Sequence, residues 1–163
     1  MLSKIRHYVP NETVRSLYFS FVNSHTDYNL LNWGMAAPSN LHPIHTKINK
    51  ALRIMTFKSR DHSSIPLYKE LEILPLQQSF NLKNAKHMWK FHNNYLPQSL
   101  LSNFNYNSRN QITKSYSRLD SLKRFSLFTA PNIWNDLPTS VKEKTTLKSF
   151  SDSVKKHFLD ELR

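Results

Sequence analysis

Apolar residues recur at helical spacing along most of the chain. After Pro10, Val14, Leu17, Tyr18, Phe21 and Val22 fall at i, i+3, i+4, i+7 and i+8, one face of an amphipathic helix. Asn11 reads as its N-cap, and Glu12 suits the positive end of its dipole. The pattern loosens toward Trp33, and Gly34 and Pro38 end it. A second helix is expected from Ser39 to about Phe57, with Ile44, Ile48, Ala51, Leu52 and Met55 on its inner face. Residues 57–66 read as a loop in which Ser64 caps a short segment beginning near Pro66.

Pro75 suits the first position of a third long helix reaching about Asn94. Leu76, Phe80, Met88 and Phe91 form one apolar face of it, and Leu82, Ala85 and Trp89 a second. Lys83, Lys86 and Lys90 stack between the two. A helix apolar on two sides packs between neighbours, with its lysines at the remaining opening. Pro97 opens a short helix carrying Leu100, Leu101 and Phe104. Residues 105–121 are rich in Asn and Ser and read as an extended polar loop, followed by a strand-like Phe125–Phe128. A short turn or helix around Trp134 stops at Pro138. The last helix is capped at Thr145 or Thr146 and uses Leu147, Phe150, Val154, Phe158 and Leu162. The fold class is mainly α: a bundle-like helical array with a basic polar loop and a short strand-like piece before the last helices. The natural division is 1–104 and 105–163, within what can be one continuous domain.

Composition narrows the function. The 163 residues suffice for one domain with a sizeable core. Gly34 is the single glycine, which excludes a phosphate-binding loop or dinucleotide turn, since both need several. It also disfavours sandwiches and barrels built on tight hairpins. The absence of cysteine excludes disulfides, thiolate zinc sites and cysteine nucleophiles. Ten Phe, seven Tyr and three Trp argue against full disorder. No apolar run approaches the roughly 20 residues that span a bilayer, and the N-terminus lacks the apolar core of a secretory signal. An intracellular protein without a membrane partner is the expectation.

The net charge of +12 points to a polyanionic partner. It is uneven: eight Lys/Arg face two acids in residues 1–60, four face three in 61–105, and eleven face six in 106–163. Lys47, Lys50 and Arg53 form a cationic stripe on the second helix. In the polar loop and just after it, Arg109, Lys114, Arg118, Lys123 and Arg124 alternate with Tyr106, Tyr116 and Phe125. Cations there can hold a phosphate backbone while rings stack on bases. These eight cations are the candidate nucleic-acid contacts. The competing reading is a solvated helix face and a basic surface loop.

Candidate chemistry is otherwise sparse. The acids are scattered, so they do not supply the close carboxylates of a two-metal centre; Glu70 and Glu72 diverge on a helix, and Asp160 and Glu161 sit at the terminus. His42 and His45 have metal-ligand spacing, but Pro43 separates them and no third ligand is near. His87 reads as a core histidine. His25 with Asp27, and Asp61 with His62, lack a nucleophile in a recognisable elbow. Trp33, Trp89 and Trp134 read as core anchors. No catalytic residue, metal, cofactor or small-molecule substrate is assigned.

Several segments, in order, resemble the region that follows the palm in reverse transcriptases of jockey-like non-LTR retrotransposons. They are Lys4–Pro10, Leu17–Asn29 with Asn32–Gly34, Ile48–Met55, Pro66–Leu74, Met88–Pro97, Asn105–Asn110, Ile133–Pro138 and Leu147–Phe150. The chain departs from that pattern in lacking a histidine near the start of the Asn105–Asn110 segment and in having Ser108 where Thr is usual. It also has Ala130–Pro131 where Gly-Pro is common. The resemblance implies a helical thumb-like region over 1–104 and a basic C-terminal region over 105–163, which together help hold template RNA and target DNA. It also implies a missing palm: no two aspartates are adjacent here, so the chain is expected not to polymerise by itself. The expected partners are RNA or DNA, and the palm. Two alternatives stand beside this. The chain is the tail of an active reverse transcriptase whose palm lies outside it, or it is a helical module that docks a protein through Trp89 and the two-sided third helix.

Overall fold

In the computed structural model, which describes residues 2–97, 99, 104–109, 111–113 and 116–162, helices account for nearly all regular structure. The first are α1 (Leu2–Ile5) and α2 (Asn11–Tyr18), which continues into a π-helical turn over Phe19–Asn23 and then α3 (Ser24–Asp27). Pro10, not Asn11, occupies the N-cap position of α2. Val14 and Tyr18 are buried as the pattern requires, but Phe21 is 50% exposed. The π turn explains the difference, because its extra residue rotates everything after it off the α-helical face. Hydroxyl groups mark this stretch: Ser16, Ser20 and Thr26 each donate to the carbonyl four residues earlier. Such back-bonding bends helices. Tyr28 is extended and Asn29 left-handed, so α4 (Leu30–Trp33) starts in a new direction.

The long helix α5 (Pro38–Met55) buries Ile48, Ala51, Leu52 and Met55, as its spacing predicts. After the loop comes α6 (Ile65–Glu70), with Ser64 at the N-cap position but making no side-chain cap bond. Pro75 precedes α7 (Leu76–His92). The short helix expected after Pro97 falls largely on residues outside those described; Phe104 is buried and not helical. The polar segment that follows contains one isolated antiparallel bridge, Tyr106 to Ile112.

The strand-like reading of Phe125–Phe128 is wrong. After α8 (Asp120–Lys123), these residues enter α9 (Ser126–Asp136), which packs on α7. An apolar run of four cannot by itself distinguish helix from strand. Here no strand is available to pair with it among the described residues, while Ala130, Pro131 and Trp134 find cover. The chain ends with α10 (Thr139–Lys142) and α11 (Leu147–Asp160). Thr146 caps α11, its Oγ1 accepting from the Ser149 amide at 3.2 Å.

Three helix ends close without glycine. Phe57, Glu72 and Asn94 are left-handed, with φ of 56°, 51° and 57°. In each case the following amide reaches back five residues: Lys58 to Arg53, Ile73 to Tyr68, and Tyr95 to Lys90. This satisfies the last carbonyls in the Schellman manner.

Two apolar clusters meet along α7. The first joins Val14, Tyr18, Leu30, Leu52, Leu67 and Tyr68 to Leu76 and Phe80 at the start of α7. The second gathers Ala85, Met88, Trp89 and Phe91 with Trp134, Phe150, Val154 and Phe158. Asn84, fully buried, sits between them. Its Nδ2 donates to the Phe80 carbonyl at 3.0 Å and its Oδ1 accepts from Ser126 Oγ at 2.5 Å. Helix α7 is thus enclosed on two sides, as its two apolar faces require. Among the described residues no helix is long and apolar enough to cross a membrane.

Candidate nucleic-acid interface

The eight cations singled out from the sequence occupy dissimilar settings. Lys47 and Lys50 are exposed on the outer face of α5. Arg53, one turn on, is half-buried, and its Nε donates to the His62 carbonyl at 2.7 Å, so it fastens the loop after α5. Arg109 and Arg118 are exposed in the polar segment, and Lys114 lies outside the described residues. Lys123 pairs with Asp120 at 2.7 Å on the surface, and its proximity holds the Asp120 carboxyl below the usual range. Arg124 is half-buried and faces an apolar cavity.

The aromatic residues of that segment also divide. Tyr116 is 85% exposed. Tyr106 stacks on Phe91, with ring centroids 5.8 Å apart, and its hydroxyl lies 2.6 Å from His92 Nδ1. The segment is held down at Ile112, whose amide donates to Asn135 Oδ1 and whose carbonyl accepts from Asn135 Nδ2.

A second cationic feature was visible in the sequence only as packing geometry. Lys83, Lys86 and Lys90 run for about 10 Å along α7, at about 1.5 Å per residue. They line a cleft of about 420 Å³ together with Phe19, His87 and Lys155. Four lysines here face two acids, Asp27 and Glu72. Lys83 is neutralised, its Nζ lying 2.9 Å from Asp27 Oδ2 and donating to the Asp27 carbonyl. Lys86, Lys90 and Lys155 make no ion pair among the described residues. Burial, helped by Lys90, lowers the His87 pKa, so this imidazole is neutral at pH 7. It meets Phe104 edge-on. The Phe19 ring, one residue past buried Tyr18 and so off the inner face of α2, is 38% exposed at the cleft, with the Arg15 guanidinium 5.2 Å from its centroid. A ring beside unpaired cations can stack a base while the cations hold its phosphates.

The remaining candidates are structural. Trp89 and Trp134 are buried on either side of Phe150, and Trp89 Nε1 donates to the Lys144 carbonyl. Trp89 is therefore committed to the chain's own core. Trp33 is half-buried, donating to the Tyr28 carbonyl at 2.7 Å. His42 and His45 lie on one face of α5, and among the described residues no cluster of three potential ligands could hold a metal. No protein-family model, curated protein or solved structure matches the chain.

Proposed function

We propose that this chain is a non-catalytic, nucleic-acid-associating helical segment of a retrotransposon-derived reverse transcriptase, equivalent to the thumb and post-palm region. One observation carries the binding half: Lys86, Lys90 and Lys155, without an ion pair among the described residues, share a cleft with the exposed Phe19 ring. Exposed Lys47, Lys50, Arg109 and Arg118 extend the positive surface. The identification with that family rests on the order of the sequence segments. A single strand, RNA or DNA, is the favoured ligand, because a stacking ring serves unpaired bases and is idle against a closed duplex.

Fluorescence anisotropy with a labelled single-stranded RNA, across a salt series, tests this. Replacing Lys86, Lys90 and Lys155 by Gln should shallow the slope of log affinity against log salt by about 2, since each phosphate contact to a single strand contributes about 0.7. The Arg109→Gln/Arg118→Gln pair should remove about 1.4 if the loop participates. A salt-independent wild type, or an unchanged slope in both variants, would refute the reading. Primer extension by the chain alone is expected to give no product.

A further inference from the structure

We propose that the cavity enclosed by α4, α5 and the first turns of α7 and α9 binds a small organic anion: an apolar body ending in a carboxylate. The cavity has a volume of about 350 Å³ and is walled by Leu30, Met35, Leu41, Leu76 and Phe80. That is the small end of the range for ligand pockets, whose usual design is apolar walls with a few fixed polar groups. Here the polar groups come from two elements. Arg124 lines the cavity beside Thr129, and His42 and His45 lie across from them on the early turns of α5.

Arg124 makes the site selective for an anion. Its Nε is buried without a hydrogen-bond partner among the described residues, which leaves the terminal nitrogens as the donors a ligand in the cavity can reach. The guanidinium makes no ion pair among the described residues, and the nearest acid in sequence, Asp120, is already held by Lys123 at 2.7 Å. A guanidinium presents its donors in a planar fork that matches a carboxylate. No acidic side chain lines the cavity. A carboxylate entering tail-first would bury its chain among the leucines and leave its head at Arg124. Charge complementarity thus favours an anionic amphiphile over a neutral one of equal size. This cavity and the lysine cleft share no residue.

Isothermal titration of the full chain with octanoate and with octan-1-ol separates charge from apolar burial. Octanoate should bind at least tenfold more tightly than the alcohol. Arg124→Gln should abolish that preference by weakening octanoate at least tenfold, with a cooperative urea transition retained. Equal binding of the two ligands to the wild type, binding of neither, or a preference that survives in Arg124→Gln would each overturn the proposal.

Discussion

Gly34→Ala should destabilise the protein, against the usual expectation for its backbone conformation. Gly34 has φ −66° and ψ −12°, right-handed values that any residue adopts. At such a site alanine normally stabilises by about 0.4–1 kcal/mol, because the unfolded chain loses freedom. Here a Cβ would lie 2.5 Å from the Leu30 carbonyl oxygen and 2.6 Å from Phe80 Cδ2. Neither neighbour can yield cheaply. The carbonyl already accepts from the Gly34 amide at 2.8 Å, and Phe80 is 3% exposed in the first cluster. Overpacking of this kind costs about 1–3 kcal/mol, and a weakened hydrogen bond about 1 more. The net loss is about 1–3.5 kcal/mol, or roughly 2–14 °C in Tm at this chain length. Equilibrium urea unfolding should show a lower midpoint with an unchanged m-value. A Phe80→Leu background should relieve part of the loss, giving a coupling of at least about 0.5 kcal/mol in a double-mutant cycle. A stabilised Gly34→Ala, or additive single and double variants, would show that the close approach at Gly34 has been misjudged.

Phe150→Ala, at a fully buried site between Trp89 and Trp134, should cost about 3–5 kcal/mol and red-shift tryptophan emission under native conditions. Urea unfolding checks the first effect and fluorescence the second. Burial pushes the Tyr18 hydroxyl up to about 12 from 10.0, and Tyr68 is raised further. Both groups keep their protons longer when folded, so their contribution is intact below pH 10 and lost as pH rises toward 12. Stability should fall by about 1.4 kcal/mol per pH unit for each tyrosine in that window. Midpoints at pH 9 and 11 measure this, and Tyr68→Phe should roughly halve the slope. Glu72→Gly should stabilise by about 1 kcal/mol, because a left-handed non-glycine residue carries strain, and Asn94→Gly should do so by less. The same Glu72 change removes a carboxylate from the lysine cleft, so RNA affinity should rise with it.

Long, strongly periodic segments were legible in the sequence because burial and periodicity agree there. For α5 the expected limits, Ser39 to about Phe57, differ from Pro38–Met55 by a residue or two, and α11 starts after one of its two expected caps. What was not legible depends on contacts distant in the chain. The π turn at Phe19–Asn23 has no periodic signature, yet it decides that Phe21 faces outward. The helical state of Ser126–Phe128 depends on α7 being beside it. The candidate site shows the same division. The α7 lysine column was visible as a geometric feature, but its value as a site needs Phe19 and Lys155, which lie 64 residues or more from one or other end of that column's group. Arg53 and Arg124 are indistinguishable by composition from Lys50 and Arg118, although the first of these holds a loop carbonyl and the second lines a cavity.

The cavity and the lysine cleft meet in α7, and Asn84 connects them. The first turns of α7 wall the apolar cavity through Leu76 and Phe80, while Lys83 and Lys86, on either side of Asn84 in sequence, line the cleft. A polar side chain buried at the seam of two apolar clusters is costly unless bonded, and this one is bonded to its own helix and to Ser126. That second bond fixes the start of α9, and Ser126 is two residues past Arg124. An apolar residue at position 84 could fill the same space, but it would not specify where α9 begins along α7. The buried amide therefore does more than tolerate burial: it sets the register that brings Arg124 to the mouth of the cavity, while the helix that carries it presents its lysines to the opposite cleft.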